Sequence, residues 1–113
     1  MITIYHNPRC GKSRDCVVHF DNLKTPYTVV KYLEHPLSVA ELEALLTMLS
    51  IRPIELVRTK EKIWIENYKN KELSDQEIIA AMALHPILIE RPIVVNKDKA
   101  VIARPLERIH EIL

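Results

Sequence analysis

The chain has 113 residues, of which 48% are hydrophobic and 27% charged, and its formal net charge is +1 at pH 7. This composition predicts one globular domain and excludes a disordered chain, and the near-neutral charge gives no reason to expect a nucleic acid or an anionic membrane as partner. No apolar run is long enough to span a bilayer, and the N-terminus lacks the zones of a signal peptide.

The first third of the chain predicts a strand, a helix and a second strand. Residues Ile2–Tyr5 are β-prone, and His6–Arg9 break that strand. Apolar spacing predicts a helix over Gly11–Leu23, and Tyr27–Tyr32 is rich in β-branched and aromatic residues. The helical stripe comprises Ser13, Cys16, Val17, Phe20 and Leu23. A strand–helix–strand unit calls for parallel strands and a right-handed crossover.

The middle of the chain is predicted to be helical. Capping boxes of the form Ser-x-x-Glu begin at Ser38 and Ser74, each before a run with helical apolar spacing. Between them, Pro53 opens a short segment, and a charged stretch has helical character around Ile63–Tyr68. The apolar face after the first box comprises Val39, Leu42, Leu45, Leu46 and Leu49.

The last part of the chain predicts a hairpin and a terminal helix. Strands over Ile93–Val95 and Ala100–Ala103 flank the polar turn Asn96–Lys99, and Pro105 starts the helix. This helix is expected to bury Leu106, Ile109, Ile112 and Leu113. The order of elements predicts an α/β protein with a mixed four-stranded sheet flanked by helices. This is the thioredoxin-like arrangement, here in a single domain over residues 1–113 with a helical insertion.

Cys10 lies at the turn between the first strand and the first helix. Free N–H groups and the helix dipole at such a place favour a thiolate and also bind anions. Positive charge is added by Arg9, Lys12 and Arg14. Gly11, the one glycine of the chain, lets the backbone approach a ligand closely. We therefore predict that Cys10 is a reactive thiol beside an anion site.

The spacing of cysteines limits the chemistry. A phosphatase loop of the form Cys-x5-Arg that begins at Cys10 would need an arginine where the chain has Cys16, so this motif is absent. A redox pair of the form Cys-x-x-Cys would need a cysteine where the chain has Ser13, so this motif is absent as well. Cys16 falls on the apolar stripe, roughly 9 Å from Cys10 along the helix and beyond disulfide reach. A zinc site from both cysteines, His6 and His19 would need ligands from two faces of one helix, so no metal is expected. An external thiol must then resolve any intermediate.

Six short segments along the chain together carry a resemblance to a known family. They are His6–Ser13, Tyr32–Glu34, Leu56–Arg58, His85–Ile89, Glu90–Val95 and Ala103–Pro105. In this combination the chain resembles the glutaredoxin-coupled arsenate reductases over nearly its whole length, and is most similar to a shorter branch of that family. The resemblance implies a thioredoxin-like fold with a helical insertion, and it implies that Pro92 is a cis proline beside the cysteine.

The resemblance also implies roles. Cys10 would attack arsenate, while His6 and Ser13 would support its thiolate by charge and hydrogen bonding. The oxyanion would be held by Arg58, Arg91 and Arg104, whose guanidinium groups suit tetrahedral oxyanions. Asn7 and Gly11 would complete the site. Glutathione would be the co-substrate and glutaredoxin the regenerating partner, with no bound cofactor.

Two other functions stay open at this point. One is a thiol reductase with the same site and another oxidised substrate. The other is a related transcription regulator that binds RNA polymerase, although Ser13 removes the Cys-x-x-Cys switch that such relatives often carry. We expect a monomer in the cytoplasm, where thiols stay reduced.

Overall fold

The computed structural model of the protein describes residues 2–113, which form two compact units. The first unit comprises the chain up to His35 together with Arg91–Leu113, and the second comprises Pro36–Glu90. The sheet and both cysteines belong to the first unit, and the second is mainly helical. No helix within residues 2–113 is long and apolar enough to cross a bilayer.

A four-stranded sheet forms the centre of the first unit. Its strands are β1 (Ile2–Tyr5), β2 (Tyr27–Val30), β3 (Ile93–Asn96) and β4 (Lys99–Ile102), in the spatial order β2-β1-β3-β4. β1 is parallel to β2 and antiparallel to β3, which pairs antiparallel with β4. The predicted mixed four-stranded sheet is confirmed.

The bounds of three strands differ from the prediction, and β4 ends at Ile102 instead of Ala103. β2 stops at Val30 instead of Tyr32, because Val30 is paired with Tyr5, the last residue of β1, and no parallel partner remains beyond it. The hairpin turn is shorter than predicted, since Asn96 and Lys99 already form a pair of the ladder.

Helix α1 (Gly11–Leu23) connects β1 to β2 and has the predicted bounds. Lys24, the residue that caps its C-terminus, has a left-handed backbone conformation (φ 57°). This is a common way to satisfy the last carbonyl groups of a helix. The terminal helix is a 3₁₀ helix over Leu106–Glu111 rather than an α-helix. Short segments often tighten in this way, here with N–H groups bonded to the carbonyl three residues earlier.

The core of the first unit lies between the sheet, α1 and the terminal 3₁₀ helix. It comprises Ile2, Ile4, Cys16, Phe20, Val94, Val101, Ala103, Ile109 and Ile112. Two predicted core residues are exposed, namely Leu23 at 49% and Leu113 at 56%. Leu23 lies in the last turn of α1, where the chain leaves the helix. The three-residue period of the 3₁₀ helix turns Ile109 and Ile112 inward, so Leu113, the residue after Ile112, points away from the core.

The second unit contains four α-helices and a 3₁₀ turn. These are α2 (Val39–Leu49), α3 (Pro53–Leu56), α4 (Lys62–Asn67), α5 (Asp75–Leu84) and the turn Pro86–Leu88. α2 and α5 pack together, and both predicted capping boxes are formed. Val39 is 38% exposed, contrary to the prediction, because it opens the first turn at the end of the packed stripe. An unpredicted antiparallel bridge joins Val57 to Ile89.

The capping box of α2 yields a stability prediction. The Ser38 hydroxyl accepts a hydrogen bond from the Glu41 N–H at 3.1 Å. Ser38→Ala should therefore lower the free energy of unfolding by about 1 kcal/mol in urea denaturation. Ser38→Asp keeps an acceptor at this position and should unfold close to wild type. Equal losses in the two variants would contradict the capping role.

Candidate active site

Asn7 fixes the turn that carries Cys10. Its side chain and backbone are almost fully buried, with 1% of the residue exposed. Its N–H donates to the Ser13 hydroxyl at 3.0 Å, and its Oδ1 accepts from the Arg9 N–H at 3.0 Å. Its carbonyl accepts from the Cys10 N–H at 3.0 Å. Three hydrogen bonds from one buried residue therefore define the backbone leading into α1.

His6 and Ser13 form a buried pair beneath this turn. His6 Nδ1 lies 2.6 Å from the Ser13 hydroxyl oxygen. Burial, followed by the positive charges of Lys31 and Arg14, lowers the pKa of His6 below its usual value of 6.5. This direction favours the neutral ring, and support of the Cys10 thiolate by the charge of His6 stays a prediction. A neutral Nδ1 can accept the Ser13 hydroxyl hydrogen while that oxygen accepts from Asn7.

Cys10 occupies the N-cap position of α1, with an extended backbone conformation. Its burial alone would raise the pKa of the thiol. The Ser13 N–H, the Arg91 guanidinium and the Lys12 N–H oppose this, and the pKa of Cys10 falls below its usual value of 9.0. The side chain is partly exposed, so the sulfur is both accessible and biased towards the thiolate.

Two of the three predicted arginines lie at this sulfur. Arg104 Nη1 is 3.8 Å from Cys10 Sγ and donates to the Arg91 carbonyl at 3.2 Å. Arg91 is 8% exposed, and its guanidinium is one of the groups that lower the pKa of Cys10. The Cys10 sulfur and two guanidinium groups therefore share one place in the first unit.

The β3–β4 hairpin explains why these arginines meet. Ile93 is paired with Ile102, and one residue beyond this pair the Ala103 N–H donates to the Pro92 carbonyl at 2.9 Å. Arg91 and Arg104 are the next residues along the chain, just outside the two strands. Both precede cis proline bonds, so the cis state implied for Pro92 is confirmed, and that of Pro105 was not predicted.

Arg58 belongs to the second unit. Its Nη1 donates to Glu90 Oε1 at 2.8 Å, and its backbone N–H donates to the Leu88 carbonyl at 2.7 Å. Among the described residues, its buried Nε has no hydrogen-bond partner. The ion pair with Glu90 was not predicted, since no spacing in the sequence links residues 32 positions apart. A role of Arg58 in oxyanion binding stays a prediction.

The remaining predicted residues are Gly11 and Cys16. Gly11 has no positive φ, and a Cβ there would lie 3.7 Å from Arg14 Nη2, an ordinary contact. The fold therefore does not require glycine, and its use for ligand approach stays a prediction. Cys16 is fully buried, which raises the pKa of its thiol to about 11 and confirms its place in the core. No group of three or more His, Cys, Asp and Glu residues within residues 2–113 could hold a metal ion.

The sheet order and the cysteine at the start of the first helix define the class: a protein of thioredoxin-like fold with a thiol site. The model of the ArsC family matches residues 5–112, and the chain belongs to this family.

Individual proteins extend this similarity over the full chain. A protein of Haemophilus influenzae named arsenate reductase is 40% identical over 114 aligned positions, which cover 99% of this chain and 98% of the relative. YfgD of Escherichia coli, an uncharacterized protein, is 43% identical, with 99% and 96% covered. The solved structure of an arsenate reductase from Vibrio cholerae is 44% identical, with a TM-score of 0.93 and 99% and 97% covered.

The contact between Arg91 and the thiol yields a reactivity prediction. Arg91→Ala should raise the pKa of Cys10 towards its usual value, because a charge that favours the thiolate is removed. The pH dependence of Cys10 alkylation measures this pKa. Arg108→Ala removes an exposed arginine that pairs with Glu111 and should leave the profile unchanged. An unshifted profile in Arg91→Ala would contradict the proposed electrostatic contact.

The buried His6 yields a prediction on stability and pH. Its pKa in the folded chain lies below the unfolded value of 6.5, so the unfolded chain binds the proton more strongly. The stability contribution is present above the unfolded pKa, and it is lost as the pH falls from there through the folded pKa. Urea unfolding at about pH 7 and about pH 5.5 should show this loss, and His6→Gln should reduce it. The exposed His110→Gln variant should behave as wild type, and an equal reduction there would refute the assignment.

Proposed function

We propose that this protein reduces arsenate to arsenite, with the Cys10 thiolate as nucleophile and glutathione as the electron donor. The observation that carries the proposal is the contact of Arg104 with Cys10 at 3.8 Å, beside Arg91 and the start of a helix. A nucleophile and an anion site coincide there. The relatives named arsenate reductase, about 40% identical over the full chain, support arsenate as the oxyanion.

The oxyanion would bind where positive charge and backbone N–H groups converge. The guanidinium groups of Arg91 and Arg104 would hold two arsenate oxygens, and the first N–H groups of α1 would hold a third. Arg58 is proposed as a third arginine of this site, on the strength of the family resemblance. Such groups also stabilise the negative charge that builds on oxygen when the sulfur attacks.

The chemical sequence has four steps. The Cys10 thiolate attacks arsenic, and one arsenate oxygen leaves as water after protonation. The sulfur of glutathione then bonds to arsenic, and a second oxygen leaves as water. The two sulfur–arsenic bonds next break as the two sulfurs join, so arsenic gains two electrons, and one water adds to it as it leaves as arsenite. Cys10 remains in a mixed disulfide with glutathione, and a glutaredoxin thiolate removes the glutathione by exchange.

The second cysteine supports the need for an external thiol. Cys16 is fully buried, and burial raises the pKa of its thiol to about 11. It therefore lacks both the exposure and the thiolate character that a resolving thiol needs. We propose glutathione and glutaredoxin for that role and the cytoplasm, where both thiols stay reduced, as the location. The protein would act as a monomer without a bound cofactor.

The decisive assay follows arsenate-dependent NADPH oxidation with glutathione, glutaredoxin and glutathione reductase. Cys10→Ser should abolish turnover while the circular dichroism spectrum stays native, because no other accessible thiol can bond to arsenic. Arg91→Ala should lower kcat/KM by about a hundredfold, the usual cost of removing one group that stabilises an oxyanion. Arg58→Ala tests the third arginine, and Arg108→Ala is the matched control.

The possible outcomes separate the hypotheses. Turnover near the wild-type rate in Cys10→Ser would refute the mechanism. No arsenate turnover in the wild type, with Cys10 still reactive, would refute arsenate as substrate. In that case the same thiol site would act as a reductase of another oxidised substrate.

A further inference from the structure

A groove opens beside the turn that leads into Cys10. It has a volume of ≈ 350 Å³ and is lined by Asn7, Pro8, Arg9, Lys31, Leu33 and Glu34. We call it the Arg9–Lys31 groove. Arg9 is joined to Cys10 by a peptide bond, so one wall of the groove ends next to the residue that carries the sulfur. Asn7, whose carbonyl accepts from the Cys10 N–H, also lines the groove.

Hydrogen bonds of the backbone hold the two sides of the groove together. The His6 N–H donates to the Val30 carbonyl at 2.9 Å, which brings the residue after β2, Lys31, next to the cysteine turn. The Lys31 carbonyl accepts from the N–H groups of Glu34 and His35, both at 3.0 Å. Lys31 and Glu34 are therefore held in one turn, opposite Pro8 and Arg9. Backbone hydrogen bonds therefore define both sides of the groove.

Among the described residues, the charges of the groove have no ionic partner. Arg9, Lys31 and Glu34 are all exposed. Within residues 2–113, the ion pairs of the protein are Arg58–Glu90, Lys62–Glu66 and Arg108–Glu111. None of the three charged groups of the groove takes part in them. Two cations and one carboxylate are thus available to a ligand, and Pro8 and Leu33 supply an apolar surface beside them.

We propose that the Arg9–Lys31 groove binds glutathione, the thiol co-substrate of the proposed function on which this inference rests. Glutathione carries two carboxylates and one ammonium group, with its thiol between the two ends. The groove offers the complementary set of two cations, Arg9 and Lys31, and one carboxylate, Glu34. A tripeptide bound along the groove would direct its sulfur towards Cys10.

Thiol–disulfide exchange tests this binding without arsenate. The Cys10 thiolate attacks one sulfur of glutathione disulfide and forms a Cys10–glutathione disulfide bond. The original sulfur–sulfur bond breaks, and the second glutathione leaves as a thiolate with the electron pair. The entering molecule is a glutathionyl group in both this exchange and the proposed reduction, so the same groove would hold it.

The experiment compares the rates at which the full chain reacts with three disulfides. Glutathione disulfide carries carboxylates and ammonium groups, dithiodipropionate carries carboxylates alone, and hydroxyethyl disulfide is neutral. Lys31→Glu and Arg9→Ala should slow the reaction with glutathione disulfide by about five- to tenfold more than they slow the reaction with hydroxyethyl disulfide. The neutral disulfide corrects for any change in the reactivity of the thiol itself. Lys99→Glu, an exposed lysine on β4, is the matched control.

Glu34 provides the test of specificity. Glu34→Gln should lower the ratio of the rate with glutathione disulfide to the rate with dithiodipropionate, because only glutathione has an ammonium group for the carboxylate. Rising salt should slow the reaction with glutathione disulfide and leave the rate with hydroxyethyl disulfide nearly constant, since screening weakens exposed charge pairs. An unchanged ratio in Glu34→Gln, or an equal effect of Lys31→Glu and Lys99→Glu, would overturn the groove as the binding site.

The KM for glutathione in the arsenate assay separates this inference from the proposed function. A wild type that exchanges selectively with glutathione disulfide but does not turn over arsenate would leave the groove standing and refute the arsenate reaction. If the wild type and Lys31→Glu both reduce arsenate with the same KM for glutathione, the proposed reaction stands and the groove is refuted as the glutathione site.

Discussion

The buried hydrogen bond from the Asn7 N–H to the Ser13 hydroxyl holds the cysteine turn against the first helix. Ser13 is fully buried and also bonds His6, so one hydroxyl joins the end of β1, the turn and α1. A buried polar group without partners would cost about 1–3 kcal/mol, and this network satisfies three of them at once. The position of Cys10 at the helix N-terminus, and with it the lowered pKa of its thiol, depends on this arrangement.

A different structural constraint places Arg91 and Arg104 beside the cysteine. Arg91 and Arg104 are fixed by the register of the β3–β4 hairpin, where Ile93 faces Ile102. A shift of that register by one residue would move every side chain of one strand to the opposite face of the sheet. Two independent constraints, a buried hydroxyl and a hairpin register, therefore bring the sulfur and the guanidinium groups together.

The sequence predicted those features that depend on local signals. The bounds of α1 and the capping boxes at Ser38 and Ser74 follow from residues within one or two turns. The preference of His6 for its neutral form could not be predicted, because it depends on burial and on Lys31, 25 positions later in the chain. The approach of Arg104 to Cys10 joins residues 94 positions apart and was inferred from family resemblance alone. The exposure of Leu113 depends on the 3₁₀ form of the last helix, which no periodicity in six residues can distinguish from an α-helix.

The burial of Cys16 also determines how the protein withstands oxidants. Peroxide would convert the partly exposed Cys10 thiolate to a sulfenic acid, which other proteins protect by condensing it with a neighbouring thiol. In this chain the second thiol is enclosed in the core at 0% exposure, one helical segment away. Cys16 offers no such protection, so the state of an oxidised Cys10 would follow the small thiols in the surrounding solution rather than a second thiol of the fold.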